Sequence, residues 1–180
     1  MPPPVPFSMK FCFYSHATKQ NRDRTIRNVQ YITQPFLMDD GDLEPERFNT
    51  PLHLSDRLIL FDDTGEPDRR SVIAKLRQHR GLIWRMVVSL QEPYALCTGH
   101  INSSQWRKSL RGALPMIATA LGIPALNFCW VAVYHPEPGH PHCHILFWEN
   151  EPKRTRGMLS RLERKAVKNA LIQNILANGA

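Results

Sequence analysis

The sequence has little of what places a protein in a membrane or holds it together by disulfides. Its longest uninterrupted apolar run, Phe128–Tyr134, is seven residues, far short of the ~18 that a membrane-spanning helix requires. No membrane insertion is expected. Only four cysteines occur (Cys12, Cys97, Cys129 and Cys143), far apart and without a CxxC pair, which argues against a disulfide framework and suits a reducing cytoplasm. The first residues, Met-Pro-Pro-Pro-Val-Pro-Phe, lack the basic and apolar segments of a secretory signal. Internal repeats are absent. What remains is 180 residues, 42% of them apolar, enough for one domain spanning 1–180 with a sizeable core.

Charge is divided along the chain. The net value is +7 with a pI near 9.5. Residues 36–70 hold ten acids against four arginines, −6. Residues 10–30 hold Lys10, Lys19, Arg22, Arg24 and Arg27 against Asp23, +4. Residues 153–168 hold seven cations, among them Lys153, Arg154 and Arg156, against Glu163, +6. Basic residues gathered in blocks at such a pI are the footprint of a polyanionic partner, usually nucleic acid; a solvated helix face is the plainer source of the same pattern.

Bulky residues predict a strand over Phe7–Tyr14. Asp23 can cap a helix running to about Thr33, stopped by Pro35. The acidic stretch over 36–70 reads as a loose insertion containing a short strand near Arg57–Phe61. A short helix over Val72–His79 and a strand over Leu82–Leu90 follow. Ser103 or Ser104 can cap a helix carrying Trp106, Leu110, Leu114, Ile117 and Leu121, with a kink or break at Pro115. Strands at about Asn127–His135 and His142–Trp148 are close enough to form an antiparallel hairpin. A basic helix is expected over about 153–177. The absence of βαβ alternation favours an α+β fold, one antiparallel β-sheet flanked by helices, with the helices expected on one side.

Four of the eight histidines fall within ten positions: His135, His140, His142 and His144. Side chains alternate along a strand, so His142 and His144 share a face while Cys143 points away. The hairpin brings His135 across from them. Three converging imidazoles make a nitrogen site for a divalent cation with positions left for water or substrate. A lone histidine would be ordinary surface; three at convergent spacing are better read as metal ligands. His140 sits in the proline-rich loop and is the weaker candidate, and Glu137 can orient a ligand imidazole. Such a cation beside a basic groove suits phosphodiester chemistry with an in-line nucleophile. The chain has four tyrosines: Tyr14, Tyr31, Tyr94 and Tyr134.

His135 followed by His142-Cys143-His144-Ile145 resembles the histidine motif of HUH-family nucleases. Cys12-Phe13-Tyr14, Val29-Gln30-Tyr31-Ile32-Thr33, Gly81 through Leu90, and Trp130 through Trp148 resemble, more specifically, mobilisation relaxases of the MobA/MobL type. The resemblance covers about Phe7–Trp148 apart from the acidic middle. It implies an HUH relaxase-like sheet and a single-strand DNA transesterase, a site- and strand-specific endonuclease that mobilises a plasmid or integrative element in conjugation. A tyrosine would attack the scissile phosphate of a transfer origin, leaving a 5′-phosphotyrosine and a free 3′-hydroxyl. By position Tyr31 is the nucleophile, with Tyr14 in reserve, and His135, His142 and His144 hold Mg²⁺ or Mn²⁺. In related initiators and transposases the tyrosine follows the histidines; here none lies after His144, as in relaxases. Arg22, Arg24, Arg27, Arg85, Lys153, Arg154 and Arg156 are the expected DNA contacts, although Arg85 serves equally well as support for the sheet. Expected partners are single-stranded or supercoiled origin DNA, other relaxosome proteins and a coupling protein. The competing readings are a non-catalytic DNA-binding domain of the same fold and a histidine-site metal hydrolase unrelated to DNA.

Overall fold

The computed structural model describes residues 7–15, 18–33 and 59–179. Four strands, β1 (Phe7–Ser15), β2 (Leu82–Leu90), β3 (Phe128–His135) and β4 (His142–Glu149), form one antiparallel sheet in the order β1-β2-β4-β3. Five helices accompany it: α1 (Lys19–Ile32), α2 (Arg69–Gln78), α3 (Glu92–Cys97), α4 (Ser103–Ala120) and α5 (Arg161–Ala177). The fold is α+β with an antiparallel sheet and helices, as the sequence predicts.

The helices cover both faces rather than one. Ile26, Val29 and Ile32 of α1 and Val72, Ile73 and Leu76 of α2 pack against Ile83, Val131, Val133, Leu146 and Trp148. On the opposite face Leu110, Leu114 and Ile117 of α4 and Val167, Leu171 and Ile175 of α5 meet Trp84, Met86, Trp130, Tyr134, Ile145 and Phe147. The reason lies in β4, where Ile145-Leu146-Phe147-Trp148 is unbroken apolar sequence and each residue is buried. A strand exposed on one face would alternate; one covered on both need not.

Capping residues account for the shifted helix ends. Thr18, not Asp23, caps α1, its hydroxyl accepting from Asn21 N at 3.3 Å. Asp68 caps α2 through Ser71 N at 2.9 Å, so that helix opens three residues early and takes in Arg69 and Arg70. Asn102 rather than either serine caps α4, which runs unbroken through Pro115; the proline sits on the exposed face while buried Leu114 and Ile117 hold both halves to the core. Gly112 lets α5 approach α4 closely, because a Cβ there would collide with the Asn174 side chain.

The basic C-terminal helix begins at Arg161, not near residue 153. Ser160 and Glu163 form a reciprocal capping box that fixes its start. Lys153, Arg154 and Arg156 belong to the preceding non-helical segment, which the buried Glu149 carboxylate gathers by accepting from the backbone N–H groups of Lys153 (3.1 Å) and Arg154 (2.8 Å). Of the short strand expected near Arg57–Phe61, Phe61 makes an isolated bridge to Ala132; Arg57 and Leu58, with most of the acidic stretch, lie outside the described residues.

Candidate metal centre

The centre is assembled by strand register. His135 at the end of β3 lies directly opposite His142 at the start of β4, and His144 lies opposite Val133 on β3 and Val87 on β2. Directly opposed residues share a face, so all three imidazoles stand on the layer that carries α1 and α2. Their ring centroids are 5.2 Å (His135–His142), 4.7 Å (His135–His144) and 5.0 Å (His142–His144) apart. One nitrogen from each comes within 4.8 Å of the others, a cluster able to hold a metal ion. Cys143 points to the opposite core and is fully buried.

Hydrogen bonds set the tautomers. His135 Nε2 meets Ile32 O at 2.8 Å, and His142 Nδ1 meets His140 O at 3.0 Å. A carbonyl only accepts, so each of these nitrogens carries the proton and leaves its partner nitrogen as the lone pair. His144 Nδ1 is buried without a hydrogen-bond partner. Burial first, then the neighbouring His135, His142 and Arg85, push the His144 pKa down to about 3, which keeps that ring neutral and able to ligate. Two rings anchored through carbonyls and a third with a buried nitrogen left unpartnered make a donor set that a divalent cation fits.

The remaining residues singled out in the sequence separate cleanly. The Glu137 carboxylate stands 3.6 Å from His142 Nδ1, while His140 contributes its carbonyl and its exposed ring stays outside the cluster. Tyr31, on α1, is 64% exposed and immediately precedes Ile32, whose carbonyl accepts the hydrogen bond from His135 Nε2. Tyr14 on β1 lies opposite Ile83, whereas His142 lies opposite Ser89; six residues of strand, about 20 Å at ~3.3 Å each, separate them. Tyr134 is buried on the other face and Tyr94 packs against that same core.

The two basic blocks lie on different layers. Arg24 and Arg27 project from α1 on the histidine side, exposed and without an ion pair to another described residue, and Arg22 is half-buried beside them. Arg85 is half-buried on the histidine face, since it lies two residues along β2 from Val87, the neighbour of His144. Arg154 is otherwise engaged. Its guanidinium donates to Leu121 O, Arg156 O and Glu163 Oε1 and lies 5.9 Å from the Trp84 ring centroid, on the α4–α5 side. Arg156 pairs with the same Glu163 at 2.9 Å, and Lys153 is exposed just beyond β4, at the end of the sheet away from His142. Sequence reasoning passed over α2, whose Arg69, Arg70, Lys75 and Arg77 are all exposed on the histidine side. The run of cations after Asp68 was readable, but two of them were counted into the acidic stretch.

No described helix is long and apolar enough to cross a membrane. Comparison with curated proteins and with solved structures yields no match. A family model described as MobL relaxases matches residues 55–178, a span that holds the histidine hairpin, β2 and α5 and begins after Tyr31. That match takes in more than two thirds of the chain, and the chain belongs to the MobL relaxase family.

Proposed function

We propose that the chain nicks and rejoins one strand of DNA at a transfer origin through a 5′-phosphotyrosine intermediate, with Tyr31 as nucleophile, in the mobilisation of a plasmid or integrative element. The observation that carries this reading is the bond from His135 to the carbonyl of Ile32, which ties the exposed Tyr31 within one residue of the imidazole cluster. Of the four tyrosines, one lies about 20 Å along the sheet and two sit with the opposite core.

His135, His142 and His144 would hold the divalent cation, Mg²⁺ or Mn²⁺; of the two, the all-nitrogen donor set favours Mn²⁺. That cation supplies neutralisation of the charge that gathers on the scissile phosphate. The protein's own groups do the rest. Arg24 and Arg27 draw the strand along α1, and Arg85 adds a positive charge beside His144. Tyr31 Oη attacks phosphorus, the bond to the 3′ oxygen breaks, and the phenolic proton ends on that oxygen, directly or through water. The free 3′-hydroxyl reverses the step to rejoin the strand.

The test is incubation of the full chain with Mn²⁺ and supercoiled DNA of the replicon that encodes it. A nick with protein attached to the 5′ end, abolished in Tyr31→Phe, is the expected result. Nicking that survives Tyr31→Phe refutes the assignment, and DNA binding without any nick supports a binding domain that keeps the fold.

A further inference from the structure

The loop between β3 and β4 is held from outside by a carboxylate that plays no part in the centre itself. Glu92, two residues past the end of β2, makes a reciprocal pair with Gly139: its backbone N–H donates to Gly139 O at 3.1 Å, and its Oε2 accepts from Gly139 N at 3.1 Å. Leu90 N adds a bond to Pro141 O at 3.1 Å. Gly139 has φ +78° and His140 N bonds Glu137 O at 3.1 Å. With Pro138 preceding the glycine, this is the geometry of a type II turn, whose third residue must take positive φ. The next carbonyl after the turn belongs to His140 and accepts from His142 Nδ1.

We propose that Glu92 is a positioning residue for the metal centre. Its carboxylate fixes the peptide plane ahead of Gly139, and the turn then aims the His140 carbonyl at His142. That keeps the proton on His142 Nδ1 and leaves Nε2 as the ligand lone pair. Glu92 acts through two backbone groups and touches neither DNA nor the other imidazoles in this role. The proposal rests on the reading of the three histidines as a metal site. Groups one step removed from a ligand usually set its tautomer, and removing them weakens metal binding about 10- to 100-fold.

The experiment compares full-length wild type, Glu92→Ala and Glu92→Gln by two readouts. One is Mn²⁺ affinity by titration. The other is the His142 tautomer in ¹⁵N spectra of the metal-free protein at a pH of about 8, where imidazoles are neutral. Glu92→Ala is expected to lose about 10- to 100-fold in Mn²⁺ affinity and to show a mixture of His142 tautomers. Glu92→Gln keeps an acceptor for Gly139 N and stays close to wild type in both. A Glu92→Ala protein that melts lower yet retains the wild-type tautomer and Mn²⁺ affinity overturns the proposal, as does a Glu92→Gln protein as impaired as Glu92→Ala. Wild type that binds no Mn²⁺ refutes the metal reading of the histidines, while the tautomer comparison still decides the part played by Glu92.

Discussion

The sharpest consequence of the two-layer arrangement concerns salt. Arg24 and Arg27 stand exposed on α1, on the layer of the imidazole cluster, whereas the donors of Arg154 are directed into the protein on the other layer. Each phosphate neutralised on a single strand contributes about 0.7 to the slope of log K against log salt. Replacing both arginines by alanine is therefore expected to reduce that slope by about 1.4. At physiological salt the lost counterion release amounts to about fourfold per contact and about 15-fold for the pair, or about 1.6 kcal/mol. Arg154→Ala should leave the slope unchanged and appear in stability instead. It removes a charged hydrogen bond to Glu163, worth about 1.5–3 kcal/mol, together with two bonds to carbonyls. Fluorescence anisotropy of a labelled single strand between about 50 and 200 mM salt, with metal chelated to prevent cleavage, measures the slopes, and urea unfolding measures the stability. An unchanged slope in the α1 double variant would refute the placement of the DNA path, as would a folded Arg154→Ala protein whose slope drops by about 0.7.

Two further outcomes concern the scaffold. His100 is fully buried with its ring nitrogens 2.9 Å from Thr98 Oγ1 and 2.8 Å from Ser109 Oγ, and burial depresses its pKa to about 4. The unfolded chain therefore takes up a proton near pH 6.5 that the native state refuses until about pH 4, and stability falls with acidification across that window, by about 2 kcal/mol at pH 5. NMR titration checks it, and a native His100 titrating at or above 6.5 contradicts it. Ser160→Ala removes the side-chain half of the α5 capping box, which should cost about 1 kcal/mol and lower the melting temperature by about 2–4 °C for a chain of this size. Its DNA salt slope should match wild type.

Strand periodicity made the histidine cluster legible before any coordinates. His142 and His144 on one face, with His135 brought across by a short hairpin, needs only the two-residue repeat and a turn containing proline and glycine, and the register delivers that arrangement. The edges of β2 follow from its apolar run and match residue for residue. Two features were readable but outweighed. The four consecutive apolar residues Ile145–Trp148 announced a strand covered on both sides, and Ser160 with Glu163 announced a helix start. Glu92 was not readable, because its role depends on a contact with Gly139 across 47 positions of chain. α3 was hidden for a related reason: Glu92–Cys97 is short and carries Pro93 near its start, too little for a periodic signal.

Counting charge along the chain cannot say which side of a sheet a block will occupy. The +4 and +6 blocks both read as the footprint of a polyanion, yet the sheet stands between α1 and α5. The +6 block itself divides. Arg154 and Arg156 hold Glu163, whose pKa sits near 2 because the Ser160 N–H and the Arg154 guanidinium outweigh the desolvation that would raise it. That part of the positive charge is engaged in anchoring the start of α5. The compensating cations on the histidine side come from α2, where Arg69 and Arg70 had been counted within the acidic stretch. On the function proposed above, a phosphate path from α1 onto α2 would keep the polyanion on one face of the sheet, the face that carries His135, His142, His144 and the exposed Tyr31. On this geometry the strand need not wrap the domain to reach both its anchoring cations and the imidazoles.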